Sequence, residues 1–289
     1  VPGTQESFCI ALEVLSIATV IMGANLAKKL DKLDHTTTEI DLQDKSIKSL
    51  PSNIGTFTML ARLNLANNQL SELPPEIGSL RALAVLNLHN NKLKELPVEI
   101  TTLPKLENLN LSINKLTQLP KGFGAWPTML TLDVSYNELD DLTAQVGLLS
   151  TLKELFCTFN NIKSLPSDLS RCRGLTKLAA GNNQLKFLPI ELAQCEALKS
   201  LDVSNNKIVF IPPEIAQIAS LEHLSLLGNT KLHPSISAAT KKGQEALLTY
   251  LRTDQYAALY KDELKDLSPE EKVVPEADAA SSSAPVASV

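Results

Sequence analysis

A leucine returns every 23 residues along most of this chain. Leu63, Leu86, Leu109, Leu132, Leu155, Leu178, Leu201 and Leu224 set the register. Two residues on stand Leu65, Leu88, Leu111, Val134, Cys157, Ala180, Val203 and Leu226; three further on stand Asn68, Asn91, Asn114, Asn137, Asn160, Asn183, Asn206 and Asn229. A degenerate earlier copy carries Ile40, Leu42 and Ile47, with Lys45 at the asparagine position, so about nine repeats run from Thr37 to Pro234. This period excludes most folds. A unit of this length cannot bury its own apolar face, so the units must stack and share one interior.

The grammar within a unit is LxxLxLxxNxLxxLPxxIxxL. The Leu-x-Leu step alternates with the period of a short strand. The asparagine marks where the chain leaves that strand. A buried amide there must pair with backbone groups of its own turn and of its neighbour, since each group left unpaired costs about 1–3 kcal/mol. The column therefore predicts a ladder. Leu-Pro then opens an extended or 3-10-like return path, where proline is tolerated because no sheet hydrogen bond is needed. Ile54, Ile77, Ile100, Phe123, Val146, Leu169, Leu192 and Ile215 anchor that outer side. Parallel strands about 4.8 Å apart and bulkier return segments predict a curved horseshoe with the sheet on its concave face. Thr143 stands where its repeat expects proline, and the last repeat, ending Leu232-His233-Pro234, runs one residue out of step.

Outside the repeats, assigned to residues 37–236, the chain must close the exposed ends of its core. Residues 1–36 read as a leader followed by a cap helix, with Leu26, Leu30 and Leu33 on one side and Lys28, Lys29 and Lys32 between them. The apolar stretch from Phe8 to Met22 contains Glu13 and is too short for a membrane span. Residues 237–262 form a C-terminal cap: Thr240 to Lys261 reads as one amphipathic helix with Thr240 as its N-cap, and Ala246, Leu247, Leu248, Tyr250, Leu251, Ala258 and Leu259 as its apolar face. Residues 263–289 turn to Pro, Glu, Ala and Ser and are expected to be disordered.

The net charge of -5 argues against nucleic acid as a partner. Only 4% of residues are aromatic. The four cysteines, Cys9, Cys157, Cys172 and Cys195, form no CxxC pair, and nothing resembles a disulfide-capped end, which points to a reducing compartment. No Gly-rich phosphate loop and no Ser/His/Asp or Cys/His set stands outside the repeat grammar, so neither an enzyme nor a cofactor is expected. Cys172 and Cys195 lie one period apart at a core column, as small buried hydrophobes. Lys207-Ile208-Val209-Phe210 matches a phosphatase-docking motif, but Ile208 holds a core column and should be inaccessible. The sole clear glycosylation sequon, Asn110-Leu111-Ser112, falls on an inner strand.

The residue between the two strand leucines points away from the core. That column reads Asp41, Asn64, Asn87, Asn110, Asp133, Phe156, Ala179, Asp202 and Ser225, so one aromatic interrupts a run of small or polar side chains. Phe156, with Phe159 and Tyr136 near the strand exits and Asp133, Glu154 and Lys177 around them, is the candidate partner-binding patch. A second candidate is Gly23: were translation to start at Met22, Met22-Gly23-Ala24-Asn25-Leu26-Ala27 would fit an N-myristoylation site loosely, with Ala27 in place of Ser or Thr. Lys28, Lys29 and Lys32 would add an electrostatic second anchor.

With Pro75-Glu76-Ile77-Gly78, Val98-Glu99-Ile100 and Pro213-Glu214-Ile215, the sequence resembles the leucine-rich repeat superfamily over roughly residues 37 to 252, in particular the intracellular 23-residue LPxEI type, and is similar to the Ras-group leucine-rich repeat scaffolds. The resemblance implies a monomeric, cytoplasmic signalling adaptor that binds a protein partner, a small GTPase or a phosphatase, and meets a membrane only if Gly23 is acylated. The alternative is an extracellular recognition domain of receptor or immune type.

Overall fold

The computed structural model describes residues 26–266, with side chains to residue 263. Gly23, the stretch from Phe8 to Met22, Cys9 and the expected tail beyond residue 266 lie outside the described residues. The chain divides into two compact units, residues 1–138 and residues 139–289.

The first unit holds five three-residue strands, β1 (Glu39–Asp41), β2 (Arg62–Asn64), β3 (Val85–Asn87), β4 (Asn108–Asn110) and β5 (Thr131–Asp133), paired in parallel and in chain order. The register aligns Ile40, Leu63, Leu86, Leu109 and Leu132, one period apart. The second unit repeats the arrangement with β6 (Glu154–Phe156), β7 (Lys177–Ala179), β8 (Ser200–Asp202) and β9 (His223–Ser225), aligning Leu155, Leu178, Leu201 and Leu224. These leucines are buried, as are their partners two residues on. The expected leucine-rich repeat fold, with a parallel sheet and closing helices, is what the chain adopts.

Each strand returns through a short helical turn. Pro51, Pro74, Pro97, Pro166 and Pro189 stand immediately before 3-10 turns such as Pro75–Ser79 and Ile190–Gln194. Thr143 takes φ -59°, a value proline would also adopt, so its turn, Ala144–Leu148, forms without the ring. Ile54, Ile77, Ile100 and Phe123 in the first unit, and Val146, Leu169, Leu192 and Ile215 in the second, are buried from these turns.

The asparagine ladder is present in both units. The Asn91 amide donates to Leu65 O of the preceding repeat and to Leu88 O of its own, while its Oδ1 accepts from Leu70 N. Asn114 and Asn137 do the same in the first unit, and Asn183 and Asn206 in the second. In the degenerate first repeat Lys45 supplies no amide, but its backbone N–H, with that of Ile47, donates to Asn68 Oδ1.

At the N-terminal side, α1 (Leu26–Leu30) buries Leu30, and Asn53 donates from the first return turn to Ala27 O. The C-terminal closure differs from the single helix expected. After the short turn α2 (Pro213–Ala216) come three helices, α3 (Pro234–Lys241), α4 (Gln244–Leu251) and α5 (Asp254–Asp266). Thr240 is not an N-cap: it lies inside α3, and its hydroxyl donates to Ile236 O. The breaks are chemical. Gly243, at φ 108°, turns the chain between α3 and α4, and Thr253 caps α5 by accepting from Tyr256 N. Ala258 is exposed, and the anchor is Tyr256, whose hydroxyl donates to Ile211 O and accepts from Ile211 N. The helix α5 continues to Asp266, past the expected start of the tail. No helix among the described residues is long and apolar enough to cross a membrane.

Candidate functional site

On the sheet face most outward positions do local structural work. Asp41 Oδ1 accepts from Gln43 N, Asn64 from Ala66 N, Asn87 from His89 N, Asn110 from Ser112 N and Asp133 from Ser135 N, each at 2.9–3.2 Å. These are side-chain turns that fix the exit of the strand. In the second unit Asp202 serves Ser204 N in the same way. Asp133, expected to meet a partner, is thus also a member of this turn series in the first unit. At Asn110 the sequon is built into rigid structure: Ser112 Oγ donates to Asn110 Oδ1 at 2.6 Å and thereby accepts from His89 Nδ1 at 2.8 Å.

Phe156 and Ala179 cannot make that bond. They face each other in register on β6 and β7, with Asp202 next on β8. Phe156 is half-buried rather than fully exposed, because Lys177 lies across it with Nζ 4.8 Å from the ring centroid. Such a contact contributes about 0.5–1 kcal/mol near a surface. Glu154 pairs in register with Lys177 on the adjacent strand, yet the ammonium turns to the ring: among the described residues it makes no ion pair within 4.0 Å. Ala179 is only 8% exposed, and a Cβ on the buried Gly181 would come within 2.9 Å of Ser204 Oγ and 3.3 Å of Asp202 Oδ2. The second unit therefore brings together Phe156, Lys177 and Glu154 beside a floor of small residues bounded by Asp202.

The two other aromatics occupy a different column. Tyr136, in the first unit, and Phe159, in the second, sit in the turn after the strand, 48% and 43% exposed, each with positive φ. That column reads Asp44, Asn67, Asn90, Ile113 and Tyr136 in the first unit and Phe159, Asn182, Asn205 and Gly228 in the second, all at positive φ, between 51° and 58° except for Gly228 at 78°. Asparagine tolerates this left-handed backbone. Other L-residues accept it at a cost of roughly 1–2 kcal/mol, and for a β-branched side chain such as Ile113 it is a true outlier. Ile113, 42% exposed, is the residue missed by sequence reasoning. The signal was available as the doublets Asn67-Asn68, Asn90-Asn91, Asn182-Asn183 and Asn205-Asn206, whose first members have no core role.

The remaining candidates are interior. Cys157, Cys172 and Cys195 are buried thiols. Cys172 Sγ donates to Val146 O and Cys195 Sγ to Leu169 O, and burial pushes their pKa values up to about 11 and about 12. In the Lys207–Phe210 motif Lys207 is exposed and Val209 half-buried, but Ile208 is fully buried and Phe210 is buried and stacked on His233 at 5.0 Å.

Comparison with known proteins agrees with this geometry. A family described as leucine-rich repeat region matches residues 40–178, and the leucine rich repeat family matches residues 197–218. No curated protein is similar to the chain in sequence. Among solved structures, a leucine-rich repeat protein of Leptospira interrogans is similar at 30% identity and TM-score 0.60, over 66% of this chain and 58% of that one. The PEPR1–AtPEP1 complex is similar at 31% identity and TM-score 0.61, over 66% and 28%. The ectodomain of the Arabidopsis receptor kinase HAESA, solved with an extended IDA peptide hormone, is similar at 28% identity and TM-score 0.59, over 65% and 33%. The chain thus spans 58% of the bacterial protein and a third or less of the other two.

Proposed function

We propose that this leucine-rich repeat protein is an adaptor that holds a partner protein on its sheet face, in intracellular signalling. The observation that carries the reading is Phe156. Its repeat gives up the side-chain turn made by Asn and Asp elsewhere in the column, and presents instead an aromatic ring with the Lys177 ammonium 4.8 Å from its centroid. An aromatic ring beside a cation and a small-residue floor has the composition of a binding hot spot. Glu154 supplies a polar rim in the same unit, Phe159 and Tyr136 supply exposed aromatic surface in their own units, and Asp133 adds a carboxylate in the first.

Cys172 and Cys195 use their thiol hydrogens on core carbonyls, which suits a reducing compartment and supports a cytoplasmic location. A small GTPase is the partner class that the Ras-group resemblance favours. A phosphatase would have to bind elsewhere than at Lys207–Phe210, where Ile208 and Phe210 are buried. Acylation at Gly23 would add membrane attachment to the same adaptor role. The second reading, extracellular recognition, draws on the likeness to the HAESA receptor kinase ectodomain, solved with a peptide hormone.

The test is capture of partners from source-cell lysate by the full chain, comparing wild type with Phe156→Ala, followed by direct titration of the captured protein. Phe156→Ala should fold normally and weaken binding roughly 30-fold or more, as loss of an aromatic hot spot does. Equal capture by both proteins removes Phe156 as the contact. Capture of secreted peptides in place of intracellular proteins would favour the second reading.

A further inference from the structure

In the second unit the sheet ends at β9, and that edge is closed. The side-chain amide of Gln244, at the start of α4, donates to Leu224 O at 3.0 Å and accepts from Leu224 N at 2.8 Å, as a neighbouring strand would. In the first unit the sheet begins at β1, and that edge is open. Backbone alternation turns Ile40 toward β2 and Glu39 and Asp41 outward: on the paired side Thr38 O accepts from Arg62 N at 3.0 Å and Leu42 N donates to Asn64 O at 2.8 Å. Among the described residues the outward N–H and C=O groups of Glu39 and Asp41 meet no partner. Both residues are exposed. The helix α1 packs instead on the first return turn, where Asn53 donates to Ala27 O.

An unpaired strand edge is a template for another strand. From this we infer that β1 receives an extended segment of a partner protein that carries basic residues at alternate positions. The inference rests on the reading that this protein binds proteins, and extends it to a second surface with its own partner chemistry.

The edge itself selects the occupant. Ile40 is already buried, so an added strand gains little at its inward position. Recognition falls to the outward backbone groups and to the side chains on the sheet face, Glu39 and Asp41. Glu39 stands in register with Arg62 of β2, yet among the described residues neither carboxylate has a cation within 4.0 Å. Asp41 uses Oδ1 on Gln43 N and leaves Oδ2 outward. From Asp34 to Asp44 the chain carries four carboxylates and no lysine or arginine. Lys45 follows only past the strand exit and has an interaction of its own. Glu39 and Asp41 are two residues apart, so cations at alternate positions of an added strand stand beside them, where opposite charges stabilise the pair. A second copy of this chain fits worse. Antiparallel pairing centred on Ile40 would set each Glu39 opposite the other copy's Asp41, and like charges placed so are destabilising.

The test uses the full chain and a fluorescent peptide of about eight residues that alternates lysine and threonine. One control peptide carries glutamate for lysine. Another keeps the lysines but has every backbone nitrogen methylated, so that charge remains and strand pairing does not. Anisotropy titration should show saturable binding of the lysine peptide, roughly tenfold weaker binding of the methylated one, and none of the glutamate one. Glu39→Gln with Asp41→Asn should weaken the lysine peptide roughly fivefold. That pair keeps the strand exit, since Asn64, Asn87 and Asn110 make the same side-chain turn in this column. Absence of saturable binding, equal affinity for the methylated peptide, or equal affinity of the neutralised pair would each overturn the inference. The peptide comparisons use the wild-type chain, so they decide the matter whatever the substitutions do to folding. Glu39→Pro removes an outward N–H and leaves the β2 ladder intact. A wild-type chain that sediments as a dimer, and as a monomer with Glu39→Pro, would give the edge to a second copy and overturn the inference as well. Phe156→Ala, which tests the sheet-face reading, should leave peptide affinity within about twofold. A loss as large as that of the neutralised pair would place the peptide on the sheet face and overturn the edge.

Discussion

Asn114 donates to Leu88 O and Leu111 O and accepts from Leu93 N, at 2.9–3.0 Å, all in the buried interior. Asn114→Ala would strand Leu93 N away from water, while Leu88 O and Leu111 O would each keep one amide, from Asn91 and Asn137. At about 1–3 kcal/mol for an unpaired buried group, the expected loss is about 1–3 kcal/mol, measurable as a lower midpoint in urea unfolding. This column was legible in the sequence because only a side chain with both a donor and an acceptor satisfies such a site, so the residue type cannot drift. The thiols carry a second prediction at this scale. Burial raises Cys172 from 9.0 to about 11 and Cys195 from 9.0 to about 12, so the folded state keeps protons that the unfolded state releases. Their contribution is complete below pH 9 and is lost as pH rises from there through 11 and 12, on the order of 1 kcal/mol per pH unit for each thiol. Urea midpoints measured from pH 8 to 11 should fall accordingly, and alkylation at pH 8 followed by peptide mapping should leave Cys172 and Cys195 unlabelled until denaturant is added.

Among the elements, return turns and closing helices behaved differently under sequence reasoning. The 3-10 turns followed from Leu-Pro and the outer apolar column. Their spacing depends on glycine: a Cβ at Gly147 would collide with the Asp168 carbonyl oxygen and sit 2.8 Å from its Cβ. Gly147→Ala should therefore destabilise the second unit by about 1–3 kcal/mol, seen as a lower melting temperature by circular dichroism. The C-terminal closure was read as one helix because apolar spacing reports a face, not a break. Gly243 and Thr253 interrupt it through backbone conformation and capping, which a hydrophobic pattern does not encode. Tyr256→Phe removes the hydroxyl that serves both Ile211 N and Ile211 O. A loss of about 2–4 kcal/mol is expected, read from chemical unfolding.

For the whole molecule, stability is close to a sum of repeats and their neighbour contacts. Removing one complete period, residues 85–107, joins Ala84 to Asn108 in unbroken register, so the shortened chain should fold with a lower urea midpoint. Removing about half a period should abolish cooperative unfolding, as followed by circular dichroism. The fold was readable from the period alone, since burial constrains every repeat in the same way. The candidate surface was only partly readable. Phe156 stood out against small and polar neighbours, but the Lys177 ammonium over its ring and the turn-making role of Asp133 required coordinates. Ile113 stayed hidden because its peculiarity is a backbone angle. Exposed positions obey no burial rule, so specificity leaves a fainter trace than architecture.

The amides of Asn91, Asn114, Asn183 and Asn206 all reach backward, serving the repeat that precedes them as well as their own turn. The array is consequently polarised, with each copy completed by its successor. An extra copy duplicated into the interior arrives with both neighbours already suited to it, whereas one appended behind the final asparagine must displace α3, α4 and α5. Such a gene is expected to lengthen from its middle, and the oldest sequence to survive at its margins.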